Sequence, residues 1–268
     1  MDHTCEEEYY AQTLDLHPAR LLDLLSSSEL RGAAVVLERT VSTNSDAVAA
    51  ARVGAPEGTI LTALEQSGGR GRRGRRWFSA RGLSLVFSMV LRPTGDFEEL
   101  TALLALSAAS ALDKVCSGIM IKWPNDLYIG GKKLGGILAE AGEGYVVLGM
   151  GINVNEKESD FSEEISDEAV SLRTATGKLY DRGIVLKLIM ESFGRHYISW
   201  GRTGFSVYAA GMEERLLYKG EEVTIYRSGE IISGKLVGVD EKGFARIGTD
   251  GGERVLSTGD LTLRRADV

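Results

Sequence analysis

The sequence predicts an α+β chain in two parts, a mixed body of strands and helices followed by a small all-β unit. Three observations carry this. Strand-like and helix-like patterns mix up to about residue 215. From about Lys219 the helical patterns stop, and short alternating strands separated by Gly and Asp turns take over. Finally, 268 residues at 43% hydrophobic content hold ample core for one large domain, or one large and one small. The boundaries read as a lead-in helix within 1–33, a body over 34–215 and a β-barrel over 216–268.

Each element has its own signal. Residues 19–30 put leucines on one face of a helix, and 35–39 read as a strand. Ser42-Thr43-Asn44 is a polar turn suited to cap a helix over 44–53. Residues 59–65 and 83–91 are strands, and 100–115 form an Ala/Leu-rich helix with no polar face, hence buried. A short strand over 119–123 ends at Pro124-Asn125-Asp126. A hairpin follows over 127–140, with Gly130-Gly131 supplying the positive φ of a tight turn. Residues 145–150 are a strand closing at Gly151-Ile152-Asn153, 156–168 an acidic loop, and 184–200 an amphipathic helix. In the last part, strands over 223–226, 231–239, 245–248 and 254–256 predict a small barrel of about five strands.

Composition narrows the function. The chain carries a net charge of −7, so polyanion binding over its whole surface is excluded. No apolar run reaches the ~20 residues of a membrane span, and the acidic N-terminus is unlike a secretory signal. The two cysteines, Cys5 and Cys116, have no metal or redox spacing, and the three histidines are scattered. These features predict a cytoplasmic protein with no membrane or nucleic-acid partner and no His-based metal site. The oligomeric state stays open, a homodimer formed by sheet-edge pairing included.

Against that acidic background, residues 69–77 read GRGRRGRRW, three glycines and five arginines closed by a tryptophan. Glycine lets backbone N–H groups approach an anion, and arginine forks grip carboxylate or phosphate in pairs of hydrogen bonds. Arg/Gly runs also mark RNA-contacting segments, but this one is short, single and set between two strands. Lys122-Trp123-Pro124-Asn125-Asp126 ends a strand with an ammonium, an amide and a carboxylate, a set able to grip a triphosphate and its Mg²⁺. It also reads as an ordinary Pro-Asn-Asp turn. Lys132 and Lys133 lie beside the glycine turn; on a strand they face opposite sides, so one reaches inward and needs an anion. A solubilising hairpin tip is the plainer reading. Gly149-Met150-Gly151-Ile152-Asn153 ends a strand with room for a flat ring and an amide for a base or phosphate, or is simply a turn. No Ser, Cys or His arrangement supplies a nucleophile, so the nucleophiles belong to the substrates, and positioning and charge neutralisation carry catalysis.

Taken in this order, Ser42-Thr43-Asn44, Gln66, GRGRRGRRW, KWPND at 122–126, GKKLGGIL at 131–138 and GMGINV at 149–154 resemble the biotin protein ligases. The likeness covers about residues 34–215, and the final barrel resembles that family's SH3-like domain. The resemblance implies a class II synthetase-like body with ATP and Mg²⁺, in which biotin and ATP give biotinyl-5′-AMP. A lysine of a biotin carboxyl carrier domain, of the acetyl-CoA carboxylase type, then takes the biotin. It further implies that Ser42, Thr43, Asn44, Gln66, Arg70, Gly71, Arg72, Lys133 and Gly136 bind biotin. Arg72, Arg73, Arg75, Trp77, Lys122, Asn125, Asp126, Ile152 and Asn153 serve the nucleotide. Lys133, Arg70, Arg72 and Asp126 act in catalysis, with Asp126 also addressing Mg²⁺ through the phosphates and serving as base for the incoming lysine.

Some members of the family repress transcription through an N-terminal DNA reader. Only about thirty residues, acidic on balance, precede the body here, which predicts ligase activity without DNA binding. A lipoate or octanoate ligase or transferase shares the fold, but is expected to lack the arginine loop and to carry an apolar tunnel. A nucleic-acid module is disfavoured by the acidic charge and by arginines without interleaved aromatics.

Overall fold

A computed structural model of the chain describes residues 15–95, 97–227, 230–257 and 261–265. Residues 1–14 of the expected lead-in, with Cys5 and His3, and the Ser228-Gly229 turn lie outside the described residues.

Seven strands make one mixed sheet: β1 (Ala34–Leu37), β2 (Ile60–Ala63), β3 (Leu85–Leu91), β4 (Met120–Lys122), β5 (Asp126–Ile129), β6 (Lys132–Gly142) and β7 (Tyr145–Ile152). Their spatial order is β1-β2-β3-β7-β6-β5-β4. Only β1 and β2 are parallel; the other neighbours are antiparallel. A parallel pair needs a crossover, and here it is α2 (Thr43–Arg52), which follows α1 (Pro18–Leu25). The remaining helices are α3 (Leu100–Leu112), α4 (Leu172–Thr176), α5 (Arg182–Thr203) and α6 (Ser206–Glu214).

Every residue of β3 and β7 is buried, because helices cover both faces of the sheet. On one face α1, α3 and α5 build the main core, and all of α3 but Ser110 is buried, as its all-apolar surface requires. On the other face α2 presses Ala47 and Ala51 against Leu61, Val90, Tyr145 and Val147. Along β7 that second face continues as Gly149 and then Gly151. The bulk that packs under α2 therefore stops at residue 147, and beyond it the sheet is hollow. The expected strand end at residue 150 is corrected by two residues, which places both glycines inside the ladder rather than in a turn.

The C-terminal strands are β8 (Glu222–Arg227), β9 (Glu230–Val239), β10 (Ala245–Thr249), β11 (Gly252–Leu256) and β12 (Leu261–Arg265). They form an antiparallel sheet ordered β11-β10-β9-β8-β12. The expected closed barrel is not what this pairing gives, since no ladder joins β11 to β12 among the described residues. β11 exposes four of its five residues, leaving little apolar surface to drive closure. β12 was missed in the sequence because charged Arg264 and Arg265 break its alternation; α4 was missed because it is short, and α6 because it fully buries only Met212 and so carries little amphipathic signal.

The two parts are fastened together. Trp123, 1% exposed, donates from Nε1 to Gly243 O at 3.0 Å, and Val239 N donates to Glu213 Oε1 at 3.2 Å. Behind β4, Ile121 N donates to Arg215 O and Leu217 N to Ile121 O, so the segment after α6 extends the sheet edge. The chain ahead of β1 is held by the buried Arg182–Asp15 pair, 2.7 Å apart. Among the described residues ahead of β1 there is one helix, α1. None of the described helices is long and apolar enough to cross a membrane.

Near that pair, Glu156 is 1% exposed, bonded to the Ser84 hydroxyl, and its Oε2 has no hydrogen-bond partner among the described residues. Burial pushes its carboxyl up to about 7, against the opposing pull of Ser84 and Arg182. The folded chain thus keeps a proton that the unfolded chain releases above about 4.5. Native stability from this group is full at acid pH and is lost as pH rises through 7. In Glu156→Gln that loss, about 3 kcal/mol, is expected to vanish, as urea unfolding at pH 5 and pH 8 would register. Parallel pH dependence in both proteins would contradict it.

Candidate active site

The hollow beyond Val147 is one wall of a cleft. Its lining comes from the start of α2, the Arg-Gly loop, β3, the β4–β5 corner, β6, β7 and Leu263 of β12. Seven cations line it, Arg70, Arg72, Arg73, Arg75, Arg76, Lys122 and Lys133, against the single carboxylate of Asp126. Such a surface attracts carboxylates and phosphates even on an acidic protein.

At one end, buried Ser42, Thr43 and Asn44 open α2. Gln66 follows β2, where it bridges to Thr40, and its Oε1 accepts from Thr43 N at 2.8 Å and Thr43 Oγ1 at 3.1 Å. Asn44 is 4% exposed and its amide is already occupied. Nδ2 donates to Glu140 Oε2 at 2.8 Å and Leu138 O at 3.3 Å, and Oδ1 accepts from Ser88 Oγ at 2.6 Å. Asn44 fits because residue 149 is glycine; a Cβ there would stand 1.8 Å from Asn44 Oδ1.

The Arg-Gly loop is a small hairpin. Trp77 N donates to Gly69 O, Gly71 N donates to Arg75 O, and Arg70 bridges Arg76. Its tip is a helical turn over Arg72–Gly74, in which Arg73 takes the left-handed φ of 59°. A Cβ at residue 69 would lie 2.5 Å from Trp77 O, so the hairpin can close only on glycine. Three arginines pin it across the cleft: Arg70 to Glu140 at 2.8 Å, Arg72 to Asn125 Oδ1 at 3.1 Å, and Arg73 to Tyr226 O at 3.2 Å. Trp77 lies over Gly151, and its Nε1–H is buried with no partner among the described residues.

At the other end, Lys133 sends its ammonium inward to Asp126 Oδ1 at 2.8 Å, 5.9 Å from the Trp77 ring centre. A register shift in the β5–β6 ladder pairs Tyr128 with Lys133. Asn125 Nδ2 donates to Asp126 Oδ1 and Ile137 O, and Gly136 leaves room for both Asp126 and Lys133. Lys122 Nζ sits 5.2 Å from the Tyr128 ring centre and 6.0 Å from that of Tyr218. Burial pushes its ammonium below the usual lysine range; Asp126 opposes this, while Lys133 and Arg75 add to it. Burial also lifts the Tyr128 phenol above its ordinary range.

Two of the residues singled out in the sequence stand apart from the cleft lining. Ile152 is fully buried in the core, and Asn153 is 6% exposed with its amide on Val170 O and Lys133 O. Ile152 is the last residue of β7, where the strand continues past the turn that the sequence suggested, and Asn153 follows directly after it. Arg76 and Leu263 are additions to the lining, and Ser88 and Glu140 lie behind it, bonded to Asn44. Glu140 had one faint signal, the lack of any counter-charge within the loop.

An α+β fold whose mixed sheet backs an anion-binding cleft under an arginine loop defines a ligase catalytic domain with a C-terminal β-sheet domain. Residues 36–155 match the biotin/lipoate A/B protein ligase family, and residues 219–264 the biotin protein ligase C-terminal domain. The chain is 35% identical over 231 residues to the bifunctional ligase/repressor BirA of Bacillus subtilis, covering 83% of this chain and 71% of that protein. To the biotin–[acetyl-CoA-carboxylase] ligase of Mycobacterium tuberculosis it is 32% identical over 240 residues, covering 86% and 88%. The solved biotin protein ligase from Aquifex aeolicus in complex with biotin and ATP superimposes with a TM-score of 0.80 at 36% identity, covering 87% and 99%. The chain belongs to the biotin protein ligase family.

A Cβ at residue 151 would stand 2.4 Å from Trp77 Cε2, so Gly151→Ala must displace the indole. It is expected to shift tryptophan emission and weaken ATP binding by about tenfold or more in a folded protein. Unchanged emission and ATP affinity would speak against this packing.

Proposed function

We propose the following division of labour within the cleft. The chain is an ATP-dependent biotin ligase. A biotin carboxylate oxygen bonds to the α-phosphorus of ATP, the bond to the β-phosphate bridging oxygen breaks, and biotinyl-5′-AMP and pyrophosphate result. The amine of a lysine on a biotin carboxyl carrier domain then bonds to the acyl carbon, loses a proton, and AMP leaves.

The observation that carries this reading is the convergence of Lys133, the arginine hairpin and a polar Ser-Thr-Gln pocket on one cleft. Two anions must meet for the first bond to form. Lys133, with Arg70 and Arg72 of the hairpin, neutralises both and aligns them. Ser42, Thr43 and Gln66 offer matched donors and acceptors to the ureido head group, and Asn44 shapes that end. Gly71 and Gly136 give the backbone clearance that carboxylate and phosphate need. Arg73, Arg75 and Trp77 serve the nucleotide, with the Trp77 indole N–H free to donate. Lys122 and Asn125 address the phosphates, and a lysine already short of full charge stability is strengthened when an anion arrives.

Asp126, the one carboxylate of the cleft lining, fits a Mg²⁺ that takes one or two carboxylates plus phosphate oxygens. When bound, that ion supplies charge neutralisation on the leaving pyrophosphate. Asp126, the one carboxylate of the cleft lining, is also the group assigned here to accept the proton of the attacking lysine. The body over 34–215 forms this site, and the C-terminal unit reaches it through Tyr226 and Leu263 as an SH3-like sheet left open between β11 and β12 among the described residues. Val223, Ile225, Leu236, Ile247 and Leu263 give that sheet its buried side.

Biotin-dependent exchange of labelled pyrophosphate into ATP tests the assignment; it is expected with biotin and absent with lipoate or octanoate. Exchange that ignores biotin would overturn it. An acyl-adenylate must also be kept from water until the carrier docks. Arg72→Gly loses the tie to Asn125, so it is expected to make the adenylate yet release it early, labelling lysines on bystander proteins. Retention equal to wild type on a desalting column would refute that role.

A further inference from the structure

Glu140 lies outside the set of residues that read as functional in the sequence, and the structure gives it two partners at once. It sits on β6, paired with Val147 of β7, with its side chain 29% exposed. One oxygen, Oε2, accepts from Asn44 Nδ2 and from Arg70 Nη2, both at 2.8 Å. Arg70 is the first arginine of the hairpin, and its guanidinium also reaches Ser45 Oγ at 3.2 Å. Behind Asn44 the chain of contacts goes on. Ser88, fully buried on β3, touches Asn44 Oδ1 at 2.6 Å and Thr43 Oγ1 at 2.8 Å, and Thr43 reaches Gln66. The series Gln66, Thr43, Ser88, Asn44, Glu140, Arg70 thus joins the head-group pocket to the root of the hairpin without a gap.

The series has a built-in degree of freedom. The Ser88 and Thr43 hydroxyls have one proton each, yet they share three contacts, to Gln66 Oε1, to Asn44 Oδ1 and to each other. One of those contacts is always short of a proton, and a ligand N–H donated to the Thr43 oxygen takes one of its two lone pairs and biases the Ser88 hydroxyl toward Asn44 Oδ1. A proton donated to Oδ1 polarises the Asn44 amide and makes its Nδ2 a stronger donor to Glu140. Asn44 cannot turn away, because Gly149 and Leu138 O hold it on either side. A carboxylate held by one amide is in turn a fixed, charge-assisted acceptor for Arg70.

We propose that Glu140 is a positioning residue that couples occupancy of the head-group pocket to closure of the arginine hairpin. It touches neither substrate. It acts through Asn44 on one side and Arg70 on the other. The proposal rests on the ligase reading and assigns that site its internal linkage. It follows that binding of biotin lowers the cost of ordering the hairpin, and that an ordered hairpin tightens biotin by the same factor.

The test uses the full chain, biotin and trypsin, because the hairpin carries five arginines and its cleavage reports its order. In wild type, biotin is expected to slow cleavage within residues 70–76. In the isosteric Glu140→Gln the acceptor loses its charge. The KM for biotin in pyrophosphate exchange is then expected to rise about tenfold with kcat changed less than about threefold, and biotin protection to be lost even at saturation. A double-mutant cycle with Arg70→Gln adds a readout that general destabilisation does not move. Coupling predicts that the double variant shows about the KM of the worse single variant, whereas multiplied effects overturn the proposal. Biotin protection of Glu140→Gln at the wild-type level overturns it as well. Absence of biotin-dependent exchange in wild type itself would instead sink the ligase reading, so the two failures are separable.

Discussion

Seven cations facing one cleft repel one another, and the rest of the architecture is arranged around that repulsion. Two like charges about 4 Å apart cost on the order of 4 kcal/mol at the effective dielectric of a protein surface. The fold offsets part of this by placing acceptors behind the cations: Glu140 behind Arg70, Asn125 behind Arg72, Tyr226 O behind Arg73 and Asp126 behind Lys133. These acceptors come from three different strands, the β4–β5 corner and two structural units. The residual positive charge is what anionic substrates discharge, which is why the site binds best the molecules whose charges must be brought together.

Steric arrangement serves the same end. β7 runs Tyr145, Val147, Gly149, Gly151 along one face, so a helix packs on its first half while Asn44 and Trp77 sink into its second. The apolar core and the polar cleft are thereby consecutive stretches of one strand. A rigid, doubly covered sheet is the support that catalytic positioning requires, because small shifts of the reacting groups are costly in rate.

Most of this layout was legible in the residues. Alternation marked β3, a short apolar run marked β7, and the Ala/Leu-rich composition of α3 marked it as central. The order of Ser-Thr-Asn, Arg-Gly, KWPND and GKKLGG placed the cleft residues along the chain. What was not legible has definite causes. Ile152 and Asn153 read as part of a loop because glycine suggests a turn, yet here it clears space inside a ladder. Glu140 was not singled out because its partners, 70 and 96 residues away, are brought to it only by tertiary structure. The pairing of the last strands could not be counted from sequence, since exposed β11 and charged β12 carry little of the alternating signal.

The two glycines of β7 have a consequence for any inhibitor of this enzyme. Drug resistance commonly arises where a contact residue can change without harming the substrate. Under this cleft the wall positions are bare backbone, and any side chain acquired there would drive the Asn44 amide or the Trp77 indole into the space the substrates share. A compound that rests against the bare backbone of those two glycines therefore meets wall positions that cannot gain a side chain without moving Asn44 or Trp77.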